Sequence, residues 1–404
     1  MTEFNPLPKG FLWGAVRAGI KASGNPDLAV AHIPGEANAA AMFTKNQVVA
    51  APVTIGRRNL AAAAGRVSAV LVNAGNANCA TGEPGLEACV ETCQAAARTF
   101  RCVADEVFPS STGIIGVPLP VRKILDALPA VAAGMGATSA HAKAFTTAIM
   151  TTDTRSKLAQ ATVQTERGTI RIFGTAKGAG MIHPQLGGPP HATMLAYLFT
   201  DAEASPAQLQ TLLAAAVEPS FNSISIDGDT STNDTVLLLA SGASGIPLHG
   251  SVTAEFQSAL TRVCASLAHQ IVDDGEGVGH VVRLEISGAR SSAEARQVAR
   301  AIAHSPLNKT AWSSADPNWG RLLAAAGNAG VAFDPARLTI RIGDQLVFEH
   351  GLRPHGFNEA AAHHTMQQRV YTIALDLGEG DAACSFLTCD LTEEYVRINA
   401  DYST

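Results

Sequence analysis

The chain has 404 residues, 47% hydrophobic and 16% charged, with a formal net charge of -6. That length and apolar content suffice for more than one core, so disorder is not the default and one large or two medium domains are expected. The acidic balance offers no general attraction to nucleic acid or to an anionic membrane. The seven cysteines, odd in number and without a Cys-x-x-Cys pair, read as neither a disulfide framework nor a zinc or redox set.

At the amino terminus Pro6 and Pro8 interrupt the stretch where a secretory signal would need an unbroken apolar run. Residues 67–72 then read as a strand. Leu86, Cys89, Cys93, Ala96, Ala97 and Phe100 recur at helical spacing, with Cys89 and Cys93 as small apolar residues of one buried face. A second strand is expected over 169–173. The uncharged run 178–200 is broken too often by Gly, Pro and His to cross a membrane. Within it, 183–191 is the least regular segment and on composition alone reads as a domain boundary. Ser205-Pro206 supplies a cap and a first-turn proline for a helix over 208–217. Strands follow at 235–240, 281–286 and 370–377, with a capping box of Ser291 and Glu294 before a helix over 295–304. Residues 337–350 read as a hairpin turning at Gly343-Asp344. Strands and helices mix without a regular βαβ alternation or a repeat, which points to layered α/β sheets. The chain reads as soluble and cytoplasmic.

Several familiar signatures fail. Gly178-Ala179-Gly180 has His183 where a dinucleotide fingerprint needs its third glycine, and Lys177 precedes the glycines where a phosphate loop has its lysine after them. Asp227-Gly228-Asp229 opens like a calcium loop but lacks the glycine at the sixth position. His363 and His364 are adjacent and therefore diverge, and no His-Glu-x-x-His run occurs, so no metal site is expected.

What stands out is a concentration of small hydroxyl residues, amides and glycines. The blocks are Asn73-Ala74-Gly75-Asn76-Ala77-Asn78, Ser110-Ser111-Thr112-Gly113, Thr151-Thr152-Asp153-Thr154, Lys177-Gly178-Ala179-Gly180-Met181, Ala192-Thr193-Met194-Leu195 and Asp229 to Thr235. Glycines let backbone N–H groups approach a reacting carbonyl, and Thr or Ser supplies a nucleophile or an oxyanion donor. Singly, each block is more often a turn or a strand end.

In this order the blocks resemble the ornithine acetyltransferase family of arginine biosynthesis. The match also takes in Gly10-Phe11, Ala18-Gly19-Ile20-Lys21, Phe221-Asn222, Asp274-Gly275-Glu276-Gly277, Ala315-Asp316-Pro317-Asn318-Trp319-Gly320-Arg321 and Arg397-Ile398-Asn399-Ala400-Asp401-Tyr402. The resemblance implies a layered αββα-type sandwich of the N-terminal-nucleophile-like kind with a smaller C-terminal α/β domain. It implies one chain cut between Ala192 and Thr193, giving an alpha fragment, 1–192, and a beta fragment, 193–404, that pair further into a heterotetramer of two alpha and two beta chains. By the same resemblance Thr193 is the nucleophile, Thr112 and Gly113 form the oxyanion hole, and Thr151, Lys177, Thr193, Glu276, Asn399 and Thr404 bind substrate. The implied reaction moves acetyl from N2-acetyl-L-ornithine to L-glutamate without a metal or organic cofactor, with acetyl-CoA as an open second donor.

The chemistry of the cut is direct. A threonine hydroxyl attacks its own preceding carbonyl, and hydrolysis of the ester leaves a free α-amine on the same residue. An α-amine has a pKa of roughly 7.7 to 8.0, so near neutral pH part of it already serves as base. Two positions depart from the family pattern: Gln185 to His191 lengthen the loop before Ala192, and His280 replaces a lysine. Two alternatives stay open: a related aminopeptidase or amidase that resolves the acyl-enzyme with water, and an unprocessed, non-catalytic binding paralogue.

Overall fold

The computed structural model describes residues 6–186 and 194–401. Among them, β1 (Leu12–Val16), β2 (Leu28–Phe43), β3 (Arg66–Asn76), β4 (Val107–Ile114), β5 (Lys157–Thr165), β6 (Gly168–Lys177), β7 (Leu195–Thr200) and β8 (Thr235–Ala240) form one eight-stranded sheet. Its order is β4-β3-β2-β8-β7-β6-β5, with β1 also on β2. The hinge of this sheet is β2. Pro34-Gly35 can donate little to a ladder and Glu36 takes a positive φ of 60°, so the register against β3 slips between His32 and Ala37. Before the slip β2 pairs with β1, after it with β8, and with β3 on both sides.

The sheet therefore has two halves, and they share one core. Phe11, Trp13, Val70, Val72 and Phe108 of the first half meet Phe173, Tyr197, Phe199, Leu237 and Leu239 of the second. Edge-to-face contacts, such as Trp13 to Phe199 at 5.6 Å, lock the aromatic centre. Helices α1 (Ala51–Ala62), α2 (Gly82–Phe100) and α3 (Val121–Ala133) cover the outer face of the first half. Helix α4 (Ser139–Ile149) adds Phe145 and Ile149 to the shared core. Helices α5 (Pro206–Val217) and α6 (Ser251–Asp273) complete the unit, with Val263 and Leu267 against Gly174 in β6. The expected layered sandwich is present.

A second compact unit comprises the described parts of 223–229 and 272–403. Its sheet contains β9 (Val281–Ala289), β10 (Thr339–Ile342), β11 (Gln345–Phe348), β12 (Val370–Asp376) and β13 (Ala382–Cys389), ordered β11-β10-β12-β9-β13. Helices α7 (Ser292–Ala303), α8 (Pro306–Ser313), α9 (Trp319–Gly327), α10 (Glu359–Met366) and α11 (Glu393–Asp401) belong to it. Val298, Ile302 and Trp312 pack with Leu284, Ile340 and Ile373 in its core. This is the smaller C-terminal α/β domain.

Local signals hold where they name a mechanism. The hairpin turns at Gly343, whose φ is 54°. Ser205 caps α5 by accepting the N–H of Gln208, and Ser291 caps α7 by accepting that of Glu294. The Glu294 carboxylate engages Arg290. Cys89 and Cys93 lie buried on α2. The boundary suggested by 183–191 is not where the chain divides: the two units part after residues 222 and 271. Composition marked an irregular connection, whereas domain division follows packing. No helix among the described residues is long and apolar enough to cross a membrane.

Candidate active site

The first unit brings four of the expected residues together. Strands β3 and β4 run parallel, with Ala74 opposite Thr112 and Gly75 opposite Gly113 before the ladder slips. Gly113 has a φ of 129°, and a Cβ there would lie 2.3 Å from the Gly75 carbonyl carbon. Only glycine permits this approach. Thr112 is buried, and its Oγ1 accepts a 3.1 Å hydrogen bond from Lys177 Nζ at the end of β6. The acceptor side of that hydroxyl thus faces a cation, so its proton is available, and polarised, for donation to developing negative charge.

A web of amides holds the ends of β3 and β4. Ser111 Oγ donates to Asn73 Oδ1 at 2.6 Å, and Asn73 Nδ2 donates to the Asn76 carbonyl at 2.8 Å. Asn78 donates its side-chain amide to Gly85 O at 2.9 Å. From the approach to β8, Asn233 Nδ2 donates to both Ala77 O, at 2.7 Å, and Ser111 O, at 2.9 Å. The asparagine-rich block is scaffold. Its amides satisfy buried carbonyls where regular pairing stops.

Thr151 follows α4 directly. Its N–H donates to Asp153 Oδ2 at 3.0 Å, while Asp153 Oδ1 accepts from Gly178 N at 2.7 Å and Lys157 Nζ at 2.6 Å. Both side chains of the Asp153–Lys157 pair are fully buried. Burial pushes the Asp153 pKa up, but Lys157, Lys177 and the Gly178 N–H outweigh it and hold the carboxyl at about 2. Lys21 donates to Ala148 O at 2.9 Å and Pro26 O at 2.7 Å. Partial burial, aided by repulsion from Lys177, pulls its pKa down to about 8 against the attraction of Asp27. Asp234 is fully buried with neither carboxyl oxygen hydrogen-bonded among the described residues, and desolvation drives it well above the usual carboxylate range despite Lys177.

Ala192, Thr193 and Thr404 lie outside the described residues, as do positions Gly187 to His191 of the lengthened Gln185–His191 loop. The chain is pinned on both sides of that segment. Leu186 is clamped by Asn222, which accepts its N–H at 2.6 Å and donates to its carbonyl at 2.7 Å. Met194 O accepts the Thr235 N–H at 2.8 Å.

The second unit pairs two further expected residues. Asn399 on α11 donates to Glu276 Oε2 at 2.8 Å. The turn carrying Glu276 is held by Thr392, which donates to Gly277 O at 2.6 Å, and Gly277 has a positive φ of 67°. A carboxylate oriented by an amide is suited to an ammonium group. His280 directs Nδ1 at the Gln368 carbonyl, 3.0 Å away, so that departure has a local partner. Among the described residues no group of three metal-ligating side chains occurs.

Sequence reasoning named Thr112, Gly113, Thr151, Lys177, Glu276 and Asn399 among the described residues and gave no role to Asp153, Lys157, Asn233 or Asp234. Asp153, Asn233 and Asp234 lie inside the quoted blocks, and the usable signal was an acidic or amide residue amid small uncharged ones.

The profile of the ArgJ family matches residues 12–404. The arginine biosynthesis bifunctional protein ArgJ of Thermus thermophilus is 45% identical over 399 residues, covering 98% of this chain and 99% of its own. That of Chlorobaculum tepidum is 43% identical over 396 residues, covering 98% and 96%. The crystal structure of the arginine biosynthesis bifunctional protein argJ from Bacillus halodurans is 38% identical, covers 51% of this chain and 98% of that one, and has a TM-score of 0.49. Sequence likeness of this extent, spanning every block around the Lys177–Thr112 contact, has one meaning: the chain belongs to the ArgJ family.

Proposed function

We propose that this chain is a glutamate N-acetyltransferase that moves acetyl from N2-acetyl-L-ornithine to L-glutamate, giving L-ornithine and N-acetyl-L-glutamate. The observation that carries the reading is the buried contact of Lys177 with Thr112 beside Gly113, in a family whose curated relatives are named for arginine biosynthesis. Cleavage between Ala192 and Thr193 frees the Thr193 α-amine. Thr193 Oγ then attacks the acetyl carbonyl while the amine takes the hydroxyl proton. The Thr112 hydroxyl and the Gly113 N–H donate to the oxyanion. Collapse breaks the amide C–N bond, and ornithine leaves with the proton on its α-amine. Glutamate's α-amine attacks the threonine ester, and the same steps run in reverse order.

Thr151, Lys177, Glu276, Asn399 and Thr404 are the residues the family resemblance assigns to the substrates, Lys177 offering a positive and Glu276 a negative charge. Fragments 1–192 and 193–404 stay together because β7 and β8 of the second fragment pair with β6 and β2 of the first. Two copies of each make a heterotetramer in the cytoplasm. The relatives are called bifunctional, and acetyl-CoA is the second donor proposed here.

Intact mass and N-terminal sequencing, combined with an ornithine-release assay with and without glutamate, test this reading. A fragment beginning Thr193-Met194-Leu195 and glutamate-dependent acetyl transfer are expected, both abolished in Thr193→Ala. An uncut chain with undiminished transfer would sink the mechanism, and release independent of glutamate would make the enzyme a hydrolase. Replacing acetylornithine by acetyl-CoA checks the second donor, and native mass the assembly.

A further inference from the structure

Asp153 does more than its ion pair with Lys157 requires. A buried lysine needs one well-placed carboxylate oxygen, and Lys157 has Oδ1 at 2.6 Å. The same carboxylate also takes the backbone N–H of Thr151 on Oδ2 and that of Gly178 on Oδ1. These two N–H groups belong to segments far apart in sequence, the exit of α4 and the end of β6. Each carries one of the residues assigned to the substrate, Thr151 itself and Lys177. Lys177 in turn reaches Thr112. One carboxylate therefore sets the spacing between a substrate threonine and a substrate lysine.

We propose that Asp153 is a positioning residue for substrate binding, acting through Thr151 and the Lys177–Gly178 strand end. This rests on the acetyltransferase reading. Asparagine at 153 keeps one oxygen, which can go on accepting from Gly178, but turns an N–H₂ toward the Thr151 N–H, donor against donor. The Thr151 segment must then shift while the Lys177–Thr112 contact survives.

The test uses Asp153→Asn with Lys157→Met, a double variant that removes the buried Asp153–Lys157 charge pair as a unit, beside Asp153→Asn alone and the parent. Steady-state kinetics with acetylornithine and glutamate are read together with fragment yield and circular dichroism. The expected result for the folded, cleaved double variant is a KM for acetylornithine at least tenfold higher with kcat within threefold of the parent. Unchanged KM and kcat would overturn the inference and leave Asp153 as a counter-ion for Lys157. A tenfold loss confined to kcat would overturn it too, since the defect would then lie away from substrate placement. If the single variant does not fold, the double variant decides. A parent without acetyl transfer in the same assay would reject the underlying function, whereas parent transfer with an unaltered double variant rejects this inference alone.

Discussion

A side chain at position 113 has no room. Its Cβ would press on backbone, the Gly75 carbonyl carbon at 2.3 Å and Asn76 N at 2.6 Å, and no rotamer change relieves such a contact. Gly113→Ala must therefore part β3 from β4 and displace the N–H assigned to the oxyanion. Thr112→Val removes the other donor without a change of shape. Each is expected to lower kcat by about 10²–10³, near 2.7–4 kcal/mol of barrier, with Thr112→Ser retaining most of the activity. Ornithine release under saturating substrate checks this, and a Thr112→Val enzyme with unaltered kcat would remove Thr112 from the mechanism. Glycine and hydroxyl content drew attention to the block that holds this pair, while the role of the two residues came from the family resemblance. Lys177 was less so, because in a glycine-rich stretch it looks like a loop charge, yet it is only 3% exposed. Burial of a single lysine depends on what other strands bring to it, and one segment of sequence carries no record of that.

Among the elements, those with a continuous apolar run or a capped start were readable, as β8 and α5 illustrate. Strand β2 was not. Its Pro34-Gly35 reads as a turn and its 37–41 segment is mostly alanine, so neither alternation nor bulk announces a 16-residue strand. What makes it a strand is pairing with partners as distant as β8. The same dependence on distant partners governs the site's scaffold. Asn233 joins the approach to β8 to the ends of β3 and β4 through two buried carbonyls. Asn233→Leu would leave both unsatisfied, at about 1–3 kcal/mol each. A lower urea midpoint at an unchanged slope is the expected outcome. Equal midpoints would mean that other donors replace the amide.

At the scale of the whole molecule, acid should weaken the two units over different ranges. In the second unit His304 is largely buried beside Ser225. Burial first, then Lys309 and Arg300, lower its pKa from 6.5 to about 4. Below pH 6.5 the unfolded chain binds a proton that the folded unit refuses until about pH 4, so stability falls as pH drops through that window, by about 3 kcal/mol at most. In the first unit Asp153 is held at about 2 against an ordinary 3.8. Its contribution, about 2 kcal/mol, is fully present above pH 3.8 and is lost only as pH falls toward 2. The second unit should therefore loosen first. Two of the three tryptophans, Trp312 and Trp319, belong to it. A Trp13→Phe protein confines the fluorescence to that unit. Its urea midpoint should fall between pH 7 and pH 5, and His304→Leu should flatten the fall. A midpoint equally pH-dependent with and without His304 would assign the acid sensitivity to another group.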